Sequence, residues 1–390
     1  MHIKEFFVRY IYLLVGKVMR LLYSPLPLEN KVVFTAYSGL RYDCNPRAIS
    51  DKLHQLRPDI KQIWLMKDVN TNVIPEYVTI VRYGSMRMFR ELLTAKVWVD
   101  NGTKSLWVSK RKEQFFIQTW HGGLGFKKMG SDSPFNYGYL DRARDVHSYS
   151  MTDVFLSNSK WMTQLYSRIH PYYKGVFWEC GFPRNDIFFD KQLISTINNK
   201  VRAELGIDKD TYVVLYAPTF RVDGLAEHYM LDFDQIITSL ESITHKDVCI
   251  LVKLHHWSES LADSLYKYNQ KVRNVTSYPN MQMISIASDC FITDYSSGIF
   301  DFAILDRPAF LYADDYDHYL SQERGLYFDL RDMPFPFSDS STSLIANMVD
   351  FGAEEYHQKL EAFWKETGFI CAPNASTKVC ELIEKRMENR

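Results

Sequence analysis

Short apolar runs alternate with amphipathic stretches along most of the chain. Lys31–Tyr37, Gln62–Met66, Val97–Val99, Phe115–Thr119, Val154–Ser157 and Val176–Glu179 read as strands, with helices predicted at Asn45–Gln55 and Ser85–Thr94. Asp190–Asn199 is polar and helical, a bridge after which the pattern restarts at Tyr212–Tyr216, Cys249–Leu254, Val275–Ser277, Cys290–Thr293 and Ala309–Tyr312. A helix is predicted at Phe233–Ser242 and a last one at Ser376–Met387, which is placed to return to the first half. Strand–helix alternation of this kind predicts two parallel, doubly wound α/β units. The expected division is 1–28, 29–195, 196–365 and 366–390.

The first segment follows a different pattern. Ile3, Phe6, Phe7, Tyr10, Leu14, Val18 and Leu21 recur at helical spacing, bordered by Lys4, Arg9, Lys17 and Arg20. Basic residues interrupt the apolar run, which argues against a membrane-spanning helix, and no cleavage pattern of a signal peptide follows. A basic amphipathic helix lying on an anionic membrane fits, with packing against the protein's own core as the alternative.

Composition narrows the chemistry. A net charge of −1 argues against nucleic-acid binding through bulk electrostatics. The six cysteines are scattered without CxxC spacing, as expected of reduced core residues rather than a disulfide frame or zinc site. Asp232-Phe233-Asp234 has a DxD look but stands where a helix starts, so Asp232 is expected to be an N-cap. Asp314-Asp315-Tyr316-Asp317 lacks a surrounding oxygen-ligand framework. No metal and no cofactor is expected, and neither GxGxxG nor a P-loop occurs.

The most informative stretch is Ile292-Thr293-Asp294-Tyr295-Ser296-Ser297-Gly298-Ile299-Phe300-Asp301. It reads as strand, polar turn and helix start, which sets N–H groups and two hydroxyls where a phosphate can sit. Trp120-His121-Gly122-Gly123 ends the strand Phe115–Thr119, placing His121 as a proton acceptor or as a histidine that merely closes a turn. Lys253-Leu254-His255 puts a cation and an imidazole on one face of an extended segment. Arg184, in Cys180–Asp186, offers a planar fork for phosphate oxygens, and Pro218 and Thr219 follow the first strand of the second unit.

Together these motifs, with Tyr42-Asp43-Cys44-Asn45-Pro46-Arg47, Asp306-Arg307-Pro308 and Arg324-Gly325-Leu326-Tyr327-Phe328-Asp329, resemble the CDP-glycerol glycerophosphotransferase family over some 300 residues. The resemblance implies a GT-B-type architecture, two Rossmann-like domains facing a cleft. It implies substrate contacts at His121, Gly122, Arg184, Pro218, Thr219, Lys253, Leu254, His255, Ser296, Ser297 and Asp301. His121 becomes the general base and His255 a diphosphate ligand or acid. The implied reaction moves glycerol phosphate from CDP-glycerol to a hydroxyl of a lipid-linked or polysaccharide acceptor at the inner leaflet of the cell membrane, releasing CMP.

Three departures from the family pattern stand out. Trp120–Gly130 is one residue longer than usual, His256 replaces a proline, and Pro334-Phe335-Pro336 replaces Pro-Gly-Pro. The first lies beside the implied base and leaves the acceptor, and the donor's alditol, open. A CDP-ribitol or other nucleotide donor is one alternative, and a non-catalytic membrane-associated partner in envelope assembly is another.

Overall fold

A computed structural model describes residues 2–68, 74–133, 137–221, 229–254, 269–323 and 325–388. The first sheet contains β1 (Glu29–Thr35), β2 (Lys61–Met66), β3 (Val78–Arg82), β4 (Ala95–Asp100), β5 (Phe115–Gln118), β6 (Val154–Ser157) and β7 (Val176–Glu179), in the order β3-β2-β1-β4-β5-β6-β7. The second contains β8 (Tyr212–Tyr216), β9 (Val248–Val252), β10 (Val272–Asn274), β11 (Cys290–Thr293), β12 (Ala309–Tyr312) and β13 (Phe337–Ser338), in the order β10-β9-β8-β11-β12-β13. Every pairing between these strands is parallel. Both are Rossmann-like sheets, and their central strands are buried because helices cover each face. Strand order reverses between β1 and β4 and between β8 and β11, and such reversals open a crevice at the carboxyl ends of the strands.

Among the described residues the longer helices are α1 (His2–Tyr23), α2 (Cys44–Leu56), α3 (Met86–Thr94), α4 (Tyr139–Met151), α5 (Lys160–Ile169), α6 (Lys191–Glu204), α7 (Phe233–Thr244), α8 (Met281–Ala287), α9 (Gly298–Ala303), α10 (Ser341–Val349), α11 (Ala353–Thr367) and α12 (Ala375–Glu388). Asp232 caps α7 by accepting from the Gln235 N–H at 3.0 Å. The last helix, α12, buries Val379, Cys380, Ile383 and Met387 in the core of the first sheet. The Asp186 carboxylate holds its start through the Ala375 and Ser376 N–H groups at 2.9 and 2.8 Å.

Some elements differ from the sequence pattern. The strand expected at Val275–Ser277 lies three residues earlier, since Val272 pairs with Ile250 and the Thr276 hydroxyl instead accepts from the Leu254 N–H. β3 and β13 were not expected. β13 is a two-residue edge strand directly after Pro336, a place where a missing N–H costs little. The apolar stripe of α1 faces outward: Phe7, Leu14, Leu21 and Leu22 are each 60–70% exposed, while Val15, Met19 and Tyr23 dock on the first domain. No described helix is long and apolar enough to cross a membrane.

Two devices join the domains. After the His121 turn, Leu124 and Phe126 leave the first sheet and bury themselves in the core of the second, Phe126 packing 5.1 Å from Phe300 of α9. The same segment then pairs with the second domain through the Lys127–Leu326 bridge, Lys128 N–H to the Gly325 carbonyl and Tyr327 N–H to the Phe126 carbonyl. The second device is ionic. Arg184, just after β7, donates Nε and Nη2 to Asp301 Oδ2 of α9 at 3.0 and 2.7 Å, and Asn185 donates to Oδ1 at 2.8 Å. Both charged side chains are 8% exposed.

Removing one partner of such a buried pair strands the other charge. Asp301→Ala is therefore expected to lower unfolding free energy by about 3–5 kcal/mol in a denaturant titration, against a loss under about 1 kcal/mol for an ordinary surface pair. A loss of the second size would show that Arg184 does not depend on Asp301.

Candidate active site

The two crevices face one another across a cleft of about 750 Å³. The first domain lines it with Tyr37, Arg41, Cys44, His121 and Arg184, and the second with Pro218, Thr219, Lys253, Leu254, Ser296, Ser297 and Asp301. The cleft thus gathers predicted residues from five separate stretches of chain, and Tyr37, Arg41 and Cys44 join them from a sixth. His255 lies outside the described residues. Gly122 does not line the cleft; it stands in the turn behind it, where a Cβ would meet the Trp120 indole at 3.4 Å.

His121 is held by a network that the sequence did not signal. Trp120 takes a left-handed conformation (φ 54°) at the end of β5, with its N–H on the Gln118 side-chain oxygen at 2.9 Å. This twist turns the imidazole into the cleft, between the Trp120 ring at 4.5 Å and the Tyr37 ring at 5.5 Å. Nδ1 lies 2.7 Å from the Asn101 carbonyl. A carbonyl can only accept, so Nδ1 carries the proton and the neutral ring keeps its lone pair on Nε2. Solvent reaches the ring through the cleft, yet the surrounding protein pushes its pKa below the ordinary value. The Asn101 carbonyl opposes that shift, and the Arg184 charge adds to it. A Cβ at Gly123 would overlap the Asn158 amide nitrogen, so any larger residue here requires Asn158 to shift.

Arg184 serves the turn as well as the domain junction. Its Nη1 donates to the His121 carbonyl at 2.5 Å and to Cys44 Sγ at 3.2 Å, and Asn45 Oδ1 accepts its backbone N–H at 3.1 Å. The guanidinium therefore touches the cleft while its donors are committed to protein. Asp301, expected as a substrate contact, has both oxygens engaged by Arg184 and Asn185.

Lys253 is similarly committed. Its Nζ donates to the carbonyls of Tyr278, Thr276 and Val275 at 2.6, 3.2 and 3.4 Å. Its ammonium lies at the cleft wall as a fixed charge, holding the segment after β10 against β9.

The β8–β11 crevice supplies uncharged donors. Thr219 is fixed by Asp294, whose oxygens accept its N–H at 2.9 and 3.0 Å. Asp294 pairs in turn with Arg221 at 2.9 Å, and Arg221 reaches Asp315 at 2.6 Å and the Thr219 carbonyl and hydroxyl at 2.8 Å. Asp315 thus belongs to a buried clamp, and the expected acidic run is a support for Thr219. Ser296 Oγ accepts the Gly298 N–H at 3.2 Å, and Ser297 starts α9 without a side-chain cap. α9 has only six residues, so what this loop offers to an anion is hydroxyls and N–H groups more than a helix macrodipole. Among the described residues no group of His, Cys, Asp and Glu is arranged to hold a metal ion.

Sequence comparison agrees with this construction. A family model described as CDP-glycerol:poly(glycerophosphate) glycerophosphotransferase matches residues 19–385. The teichoic acid glycerol-phosphate transferase of Staphylococcus aureus is 28% identical over 377 residues, covering 93% of this chain and 95% of that protein. The teichoic acid poly(glycerol phosphate) polymerase of Staphylococcus epidermidis is 27% identical over 92% of this chain, which spans about half (51%) of that relative's length. A solved structure of the wall teichoic acid polymerase TagF superposes with a TM-score of 0.83 at 26% identity, covering 98% of each chain. With the family model extending over nearly its whole length, the chain belongs to the CDP-glycerol:poly(glycerophosphate) glycerophosphotransferase family.

Proposed function

We propose that the chain transfers glycerol phosphate from CDP-glycerol to a hydroxyl of a lipid-linked or envelope-glycan acceptor, releasing CMP, in teichoic acid or capsular polymer synthesis. The observation that carries this reading is the His121 Nδ1–Asn101 carbonyl bond of 2.7 Å, which leaves Nε2 basic in a cleft shared with Thr219, Ser296 and Ser297. In this account 29–195 is the acceptor-side domain and 196–365 the donor-side domain, with 366–390 returning to the first.

The acceptor oxygen attacks the phosphorus that bears glycerol and gives its proton to His121 Nε2. The bond from that phosphorus to the bridging oxygen breaks, and the electron pair leaves with CMP. Such transfers rest on positioning and charge stabilisation. Thr219, Ser296 and Ser297 hold the diphosphate by hydrogen bonds. Arg184 and Lys253 contribute positive potential from fixed positions, Pro218 and Leu254 shape the wall, and Asp301 acts through Arg184. His255 retains the role that the family resemblance gives it, a ligand of the donor's diphosphate or the acid that meets the departing CMP.

We also assign α1 to a membrane surface, on the strength of its exposed apolar stripe with Lys4, Lys17 and Arg20 nearby. In this reading catalysis takes place at the cytoplasmic face of the membrane, where a lipid-linked acceptor is reached. Leu14→Glu/Leu21→Glu is expected to abolish sedimentation with anionic phospholipid vesicles while leaving the melting temperature unchanged; undiminished sedimentation would remove α1 from that role.

One set of assays tests the reaction. His121→Ala should keep CDP-glycerol affinity by calorimetry and lose CMP release about 10²–10⁴-fold, whereas Ser296→Ala/Ser297→Ala should lose affinity. Near wild-type turnover for the first variant, or unchanged binding for the second, contradicts the assignment, and a donor panel including CDP-ribitol identifies the alditol.

A further inference from the structure

The basic residues that line the cleft are not equally available. Arg184 is bound to Asp301 and the His121 carbonyl, Lys253 to three carbonyls, and Lys127 lies 5.8 Å from the centre of the Tyr319 ring. Arg41 differs: among the described residues it donates no hydrogen bond and forms no ion pair, although it is half-buried in the cleft wall. The nearby Asp43 carboxylate feels its charge but is itself buried and accepts from Asn280 at 3.0 Å. An arginine confined in a cleft without a partner gives up hydration for nothing unless a ligand completes it.

The loop that carries it is built to stay in place. Tyr37, Ser38 and Gly39 take successive left-handed conformations, with φ of 49°, 55° and 84°. Such backbone costs energy in non-glycine residues and persists where the surroundings enforce it, commonly at functional sites. Here Tyr37 N–H is fixed by Asn101 Oδ1 at 2.7 Å, and the Gly39 carbonyl by Lys67 N–H at 2.7 Å. Gly39 suits this turn, since its φ is positive and a Cβ would stand 3.1 Å from the Leu65 carbonyl oxygen, a tight contact.

Position decides which molecule the arginine meets. Its loop follows β1, on the β1–β4 crevice of the first sheet, and shares with His121 the Asn101 anchor and the Tyr37 ring. The donor loops after β8 and β11 belong to the facing crevice. In the transfer reaction proposed above, the wall that carries His121 faces the attacking hydroxyl, and the nucleotide lies against the opposite wall. We propose that Arg41 is an acceptor-side anion subsite, its guanidinium fork reading a phosphodiester next to the hydroxyl that His121 deprotonates, so that acceptors ending in an alditol phosphate are preferred over neutral sugar termini. The inference rests on the transfer reaction proposed above.

The test uses the full chain with two synthetic acceptors, an alkyl glycoside bearing one terminal glycerol phosphate and the same glycoside without it. Arg41→Gln is expected to raise KM for the phosphorylated acceptor about 10- to 100-fold, the usual size for loss of a charged hydrogen bond. Arg41→Lys should recover part of that loss, the CDP-glycerol Kd should not move, and the variant's penalty should disappear on the unphosphorylated acceptor. An equal penalty on both acceptors, no penalty on either, or a weakened CDP-glycerol Kd, which would place Arg41 on the donor, overturns the subsite. If the wild-type chain itself neither binds CDP-glycerol nor releases CMP, the transfer reading fails, and the subsite with it.

Discussion

The ion pair between Arg184 and Asp301 is the constraint on which the cleft depends. One guanidinium grips the carboxylate of α9 in the second domain and the carbonyl of His121 in the first. The base turn and the donor loop are therefore referenced to the same side chain. Buried pairs add little stability unless their geometry is good and their remaining donors are used. Here Nε, Nη1 and Nη2 all find acceptors, and Asn185 completes the carboxylate. Leu124 and Phe126 reinforce the junction with apolar contacts that no single hydrogen bond supplies.

Charge in the cleft follows from this arrangement. Most cations at its walls are already neutralised or hydrogen-bonded to protein, so the site offers a fixed positive potential rather than mobile side chains. The Arg221–Asp294–Asp315 clamp does the same for Thr219, and Tyr295, stacked on Tyr319 at 3.7 Å, donates its hydroxyl to Asp315 at 2.7 Å. A preorganised polar wall needs little rearrangement when charge shifts from acceptor to leaving CMP. Burial in the cleft wall lowers the His121 pKa, and the neighbouring Arg184 charge adds to that shift.

Much of the fold was legible in the chain because parallel strands buried on both faces are apolar runs that stand out from the helices between them. Short edge strands were not: β3 and β13 carry too few residues, or too mixed a pattern, to be separated from loops. Within the site, His121 and Ser296-Ser297 were visible because each ends an apolar strand. Asn101 was not, since its contribution is a backbone carbonyl, and carbonyls have no sequence signature. Lys253 and Asp301 look in sequence like substrate contacts, and only the structure shows that the first also holds three carbonyls and the second Arg184 and Asn185. Arg41 carries no sequence signal, since an isolated arginine in a loop looks ordinary; only the structure shows that it donates no hydrogen bond and forms no ion pair among the described residues.

The central claim is that His121 presents an unprotonated Nε2 to the acceptor. Nitrogen-15 NMR of the imidazole, followed through a pH titration with CDP-glycerol bound, tests it most directly. The account predicts a neutral ring protonated on Nδ1, titrating below the ordinary histidine value of about 6.5, because burial disfavours the imidazolium. Lowering the pH through that depressed pKa should protonate Nε2 and remove the base. A ring protonated on Nε2 at neutral pH, or one that titrates above the ordinary value, would contradict it.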